Sequence, residues 1–330
     1  MASNNSPVYL ITAASGHIGS HLIPVLLSQQ PKPTLVLPTR NPDRLNSQLG
    51  TNANDTHVKI IHGDIEDPAF VETLVTENGI TAAFLCLIGE NELMVTLNIF
   101  DALKHGETVK HIVYLSACSD FDLEPIRAGK LGQMWAGHVL VKPIIEAKLR
   151  YGLPPRSQPG GFSWTILGPS LFFTNDLRSK KRMLDQGLFD EPLGSKGVSR
   201  VDPADIALAA ANALQDDGKL WSGKKIMIGS LETYTNEKVA KLWSEATQTK
   251  VSFLASDRSG LETFEKNHTP VVGKIWARDM RLMYEYFEAE GFGMTDEEYL
   301  DQVELLGRAP ASYEDFVKST GKGWRTSSAE

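Results

Sequence analysis

Val8-Tyr9-Leu10-Ile11-Thr12-Ala13-Ala14-Ser15-Gly16-His17-Ile18-Gly19-Ser20-His21-Leu22-Ile23-Pro24-Val25-Leu26 is the stretch whose reading decides the fold. Residues 8–12 are apolar on both faces and read as a strand buried in a parallel sheet. Across residues 17–29, Ile18, Leu22, Val25 and Leu26 recur at helical spacing and mark one buried helix face. A short turn carrying two glycines joins them. Working outward, residues 34–39, 58–62, 81–88 and 111–116 repeat the strand pattern, with helices at 68–77 and 92–105. Strands alternating with helices predict an α/β fold, a doubly wound parallel Rossmann sheet.

The later chain dilutes the alternation. Helices are expected at 141–151, 203–215 and 236–247, and strands at 164–167, 225–228 and 251–254. The long stretches 172–200 and 257–311 suit a smaller, mostly helical C-terminal substrate lobe. The expected division is a nucleotide-binding domain over residues 1–160 and a mixed region over 161–330. That second region contributes further sheet strands at about 164–168 and 225–229 and holds the substrate lobe. Residues 326–330 read as a frayed tail.

The turn after the first strand has the pattern A-x-x-G-x-x-G, from Ala13 through Gly16 to Gly19. Glycine at these spacings lets backbone amides approach a pyrophosphate and packs the helix closely on the strand, while the helix N-terminus favours the anion. Thr12, Ala14, Ser15, Gly16, His17, Ile18 and Gly19 are therefore candidate cofactor contacts. Ala13 stands where a first glycine is expected. The second strand ends in Thr39-Arg40-Asn41-Pro42-Asp43-Arg44. A carboxylate there would bind the ribose of NAD; Arg40, with Asn41 and Arg44 beside it, instead suits the 2′-phosphate of NADP(H). Gly63-Asp64-Ile65 after the third strand places a carboxylate for the adenine amine.

These residues resemble the NmrA-like family, a branch of the atypical short-chain dehydrogenases. T-A-A-S-G-H-I-G is similar to the family's T-G-A-T-G-x-x-G, and Arg40-Asn41-Pro42 and Gly63-Asp64 to its R-N-P and G-D. His138-x-x-x-Lys142-x-x-x-Glu146 resembles its H-x-x-x-K-x-x-x-E helix. Thr165-Ile166-Leu167-Gly168-Pro169 with Phe172-Phe173-Thr174-Asn175, Val201-Asp202-Pro203-Ala204-Asp205-Ile206-Ala207, and Gly307-Arg308-x-Pro310 with Tyr313-Glu314-Asp315-Phe316 match further family segments in order. Gly168 departs from the family, which commonly carries Arg there.

The resemblance implies an NADP-binding Rossmann domain with a substrate lobe. Lys142 is then the lysine that contacts the nicotinamide ribose and acts as general acid or base. His138, where classical relatives carry tyrosine, is a candidate proton donor, and Ser116 at the end of the fifth strand completes the candidate catalytic set. Leu87, Ile88 and Gly89 are expected beside the adenosine ribose and phosphates, and Phe172, Phe173 and Asn175 near the nicotinamide. The implied activity is an NADPH-dependent oxidoreductase acting on a carbonyl or activated double bond of a small aromatic or polyketide-like metabolite, within secondary metabolism. Two alternatives stay open: a redox-sensing regulator that binds NADP(H) without turnover, and a Rossmann isomerase or epimerase.

A formal net charge of −8 argues against a nucleic-acid partner. The basic run Arg178-Ser179-Lys180-Lys181-Arg182 reads as a solvated face. Cys86 and Cys118 lie in apolar runs without metal-type spacing and read as buried reduced thiols, so no metal is expected. No leader-like segment and no bilayer-length apolar run appear, which sets a cytoplasmic location without membrane association as the expectation. A small-molecule substrate is expected; a homo-oligomer or a regulatory protein partner stays open.

Overall fold

The computed structural model describes residues 6–87 and 90–327. The chain divides into two compact units of nearly equal length. The first comprises Met1–Ser116, Val141–Gly168 and Pro203–Ile226, and the second Ala117–Leu140, Pro169–Asp202 and Met227–Glu330.

In chain order the first stretch gives β1 (Val8–Ile11), α1 (Gly19–Leu27), β2 (Thr34–Thr39), α2 (Pro42–Leu49), β3 (Val58–His62) and α3 (Pro68–Asn78). Then come β4 (Ala82–Leu85), α4 (Glu92–His105), β5 (His111–Leu115), α5 (Leu123–Arg127), α6 (Gly137–Tyr151) and β6 (Ser163–Pro169). The next elements are β7 (Leu171–Phe172), α7 (Lys180–Gln186), β8 (Leu188–Phe189), β9 (Val198–Val201), α8 (Pro203–Asp216) and β10 (Lys224–Ile228). The chain continues through β11 (Thr233–Tyr234), α9 (Asn236–Thr247), β12 (Ser252–Phe253), α10 (Arg258–Val272), α11 (Lys274–Glu290), α12 (Asp296–Leu306) and α13 (Tyr313–Ser327).

The large sheet has seven strands in the order β10-β6-β5-β4-β1-β2-β3. From β6 to β3 every pairing is parallel. Strand order reverses between β1 and β4, where Ile11 registers with Phe84. In open α/β sheets the crevice beyond the strand ends at such a reversal is where ligands bind. The strands can be apolar throughout because both faces are covered: Leu10, Leu35, Phe84, Val113 and Ile166 are all buried. Local signals set the helix ends. Asp67 caps α3 by accepting from the Ala69 amide, Pro68 opens it, and Gly79 closes it in the left-handed conformation.

The second unit carries two small sheets, β11-β9-β7 and β12-β8, around an aromatic core. Trp243 stacks on Trp324 with ring centres 4.7 Å apart, and Tyr234 meets Tyr313 edge-on at 4.7 Å. Inside this core Asp176, fully buried, accepts from Arg200, from Trp243 Nε1 at 2.9 Å and from the Tyr313 hydroxyl. Burial opposes the Arg200 charge, but the carboxylate beside it more than compensates and the guanidinium stays protonated.

Three expectations are corrected here. The basic run at 178–182 is not a uniformly solvated face. Arg178 pairs with the buried Glu191 and Arg182 with Asp190, while Ser179 is buried and bonds Asp190. Thr326 and Ser327, expected in a frayed tail, belong to α13, and residues 328–330 lie outside the described residues. Cys118 is buried as read, but Cys86 is only partly so; neither is in a disulfide. Among the described residues no helix is long and apolar enough to cross a membrane.

Candidate functional site

The loop after β1 has the geometry its composition demands. Thr12 is buried, and its hydroxyl takes the Cys86 amide at 2.8 Å while lying 3.1 Å from the Cys86 carbonyl. The Thr12 side chain thus ties the ends of β1 and β4 together. Ala13 adopts φ of 53°, the left-handed conformation that glycine takes without cost and alanine does not. Its carbonyl accepts from the Gly16 amide at 2.9 Å, closing the turn. A Cβ on Gly19 would sit 2.4 Å from the Ala14 carbonyl oxygen and 2.6 Å from that of Ala13, so only glycine lets α1 approach the loop this closely. Ala14 and Ile18 are buried beneath the turn, whereas Ser15 and His17 are exposed on it.

Beside the loop, Ala13, Arg40, Asp64, Ile65, Leu87 and Glu92 line one cavity of about 270 Å³ within the first unit. Arg40 is largely exposed and its guanidinium lies 3.8 Å from Asp64, a loose surface pair that leaves the cation available to an anion. Asn41 faces its own helix: its side chain caps α2 by accepting from the Arg44 amide at 2.9 Å. The Arg44 side chain is exposed on the first turn. Asp64 accepts from the Glu66 amide at 3.0 Å, which orients its carboxylate. Ile88 and Gly89 lie outside the described residues.

A buried polar network extends behind this cavity. Lys142 Nζ lies 2.5 Å from Glu92 Oε1 and 3.4 Å from the Leu115 carbonyl. The Tyr114 hydroxyl donates to the same Glu92 oxygen at 3.0 Å, and Lys142 Nζ stands 5.4 Å from the centre of the Tyr114 ring. Burial, followed by the charge and hydrogen bond of Glu92, pushes the Tyr114 phenol well above its ordinary range, so it stays a donor. Burial also raises the Cys86 thiol to about 11; Lys142 opposes that rise and Glu92 adds to it. Ser116 donates to Glu146 Oε1, which also takes Lys225 Nζ at 2.6 Å, while Arg150 reaches Glu146 Oε2 at 3.4 Å.

Each of the three candidate catalytic side chains meets a carboxylate. Lys142 is held by Glu92 and Ser116 by Glu146, both in the first unit. His138 belongs to the second, where its Nδ1 meets Asp279 Oδ2. Asp279 also accepts from the Gly137 amide at 2.5 Å. Burial pushes the Asp279 carboxyl up, but His138 and these hydrogen bonds outweigh burial and hold it below its ordinary value. Phe173, expected near the nicotinamide, lies in the second unit. It is 1% exposed and packs on Tyr313 and Phe316 in the second unit's core, with no ring face left for a ligand. Phe172 and Asn175 flank it, partly exposed, and the Asn175 carbonyl accepts from Arg178.

Glu92, Tyr114, Lys225 and Asp279 were not singled out by sequence reasoning. Glu92 had a signal in principle, a carboxylate in the first turn of a helix followed directly by the apolar run Leu93-Met94-Val95. Glu146 stood in plain view one turn beyond Lys142 but was read only as part of a pattern.

With this geometry in hand, one family model matches the chain. The NmrA-like family model matches residues 6–316, and the chain belongs to that family. A curated relative, an NAD(P)H azoreductase from Xenophilus azovorans, is 25% identical over 212 residues, which cover 63% of this chain and 64% of that protein. This chain therefore spans somewhat under two thirds of that relative's length. Among solved structures, an NADPH-dependent quinone oxidoreductase from Escherichia coli superposes with a TM-score of 0.74 at 19% identity, covering 94% of this chain and 99% of that one. NmrA itself, a negative transcriptional regulator in complex with NADP, superposes with a TM-score of 0.68 at 14% identity, covering 98% of both chains. These likenesses show the fold.

Proposed function

We propose that the first unit binds NADP(H) and that the protein is an NADPH-dependent oxidoreductase whose substrate is a planar, conjugated aromatic acceptor of the quinone or azo class. The observation that carries the cofactor assignment is Arg40: an exposed guanidinium at the end of β2, lining the same cavity as the glycine loop and Asp64. The chain's residues fit the group. Gly19 has no room for a Cβ, and the turn at Ala13 presents backbone ahead of a helix N-terminus that favours a diphosphate. Arg40 and Arg44 would hold the 2′-phosphate and Asp64 the adenine amine. When bound, NADPH supplies a hydride, two electrons with one hydrogen, to the acceptor. Lys142 orients the nicotinamide ribose and carries a proton at Nζ that can neutralise the anion formed on the acceptor. The azoreductase and quinone oxidoreductase relatives support the substrate class, both being named for conjugated acceptors.

A second reading, a sensor that binds NADP(H) without turnover, is favoured by one feature. Each of the three candidate catalytic side chains is engaged by a carboxylate: Lys142 by Glu92, Ser116 by Glu146 and His138 by Asp279. The likeness to a regulator agrees with it. Loss of NADPH absorbance with a para-quinone and an azo dye tests the choice. Turnover that falls at least tenfold in Lys142→Ala is expected. Tight NADPH binding with no turnover of either acceptor would replace the reductase reading with the sensor.

A further inference from the structure

We propose that Glu92 is the positioning residue of Lys142, holding its ammonium both charged and in place; the role in reduction rests on the reading of Lys142 given above. The two groups form an enclosed ion pair, with the Glu92 and Lys142 side chains 1% and 10% exposed. One oxygen, Oε1, carries the whole load: it meets Lys142 at 2.5 Å and the Tyr114 hydroxyl at 3.0 Å. The other, Oε2, is buried and has no hydrogen-bond partner among the described residues. A buried carboxylate with an orphaned oxygen is costly, and packing alone would favour an apolar residue there. Glu92 also opens α4. Lys142 therefore sits opposite a fixed negative charge and cannot swing freely, with the Leu115 carbonyl as its second acceptor at 3.4 Å.

The ionisable groups facing the pair come from every surrounding element. They include Tyr114 on β5, Cys86 just after β4, and Glu146 one turn along α6, itself matched by Lys225 on β10 and Arg150; Arg40, Asp64, Glu66 and Glu90 line the same cavity as Glu92. With Glu146 so neutralised, Glu92 is the dominant counter-charge for Lys142. Removing it leaves a buried ammonium unpaired, a condition that favours the neutral amine.

The test uses the full chain with lysine labelled by 13C at Cε, the Lys142 resonance being assigned by its loss in Lys142→Gln. In Glu92→Gln the titration midpoint of Lys142 is expected to fall by about one pH unit or more. The alkaline limb of kcat for NADPH oxidation by a para-quinone should move with it. Glu92→Asp keeps the charge but withdraws it by one methylene. It should titrate near the wild type while kcat falls about tenfold, because the ammonium is displaced. Equal midpoints in wild type and Glu92→Gln would overturn the proposal. So would NADPH binding that tightens in Glu92→Gln, which would make the carboxylate a competitor. Should Glu92→Gln fail to fold, Glu92→Asp decides: full activity across pH overturns positioning. A wild type that binds no NADPH refutes the reductase reading, and the midpoint comparison still judges the pair.

Discussion

At the scale of single residues, the cofactor preference comes down to one guanidinium. Arg40 is exposed, and its pair with Asp64 at 3.8 Å across exposed surface contributes little to folding. Arg40→Ala should therefore leave the melting temperature unchanged. A charge-assisted contact to phosphate is worth about 1.5–3 kcal/mol, so NADPH affinity should fall by roughly ten- to a hundredfold. NADH, lacking that phosphate, should lose less than about threefold. Calorimetry with both coenzymes checks this, and equal losses would remove Arg40 from the phosphate. Arg40 was legible in the sequence because its meaning depends on position alone, the end of the second strand. Phe173 was not. An aromatic residue reads the same whether it lines a pocket or fills a core, and only the packing on Tyr313 and Phe316 decides.

At the scale of elements, β1, its turn and α1 form one device. Gly19 lies where helix meets loop, and an added Cβ would meet two backbone carbonyl oxygens that cannot rotate away. Gly19→Ala should destabilise the first unit by about 1–3 kcal/mol through overpacking. It should also weaken NADPH binding at least about tenfold, since the loop amides must move. Thermal unfolding with and without NADPH measures both effects; an unchanged affinity would show that the loop does not cradle the diphosphate. This device was readable because strand, turn and helix are contiguous, and each declares itself by local periodicity. The strand bounds shifted by only a residue or two at most ends. The carboxylates behind the cavity were a different matter, because they reach Lys142 and Ser116 from other elements.

For the whole molecule, the interior of the large sheet sets a pH dependence. His111 opens β5 and is fully buried, with Nδ1 2.8 Å from Ser163 Oγ and Nε2 3.2 Å from Thr165 Oγ1. Burial lowers its pKa from 6.5 to about 4. The unfolded chain therefore binds a proton between these values that the folded chain refuses. Stability contributed by neutral His111 is complete above pH 6.5 and declines as pH falls toward 4, by about 3 kcal/mol in all. His111→Gln should flatten the stability profile over that window in denaturant titrations. A variant whose acid limb parallels the wild type would show that His111 is not the group responsible.

The sequence by itself determined the α/β alternation, the glycine turn, the guanidinium at the end of β2 and the order of the family segments. All of these are written in neighbours a few positions apart, where backbone geometry and periodicity translate directly into structure. Tertiary structure alone decided which carboxylate holds which candidate catalytic group. Glu92 meets Lys142 across 50 positions and Asp279 meets His138 across 141. An ion pair leaves no periodic trace in the chain; it exists only once the fold has brought its two charges out of water and face to face.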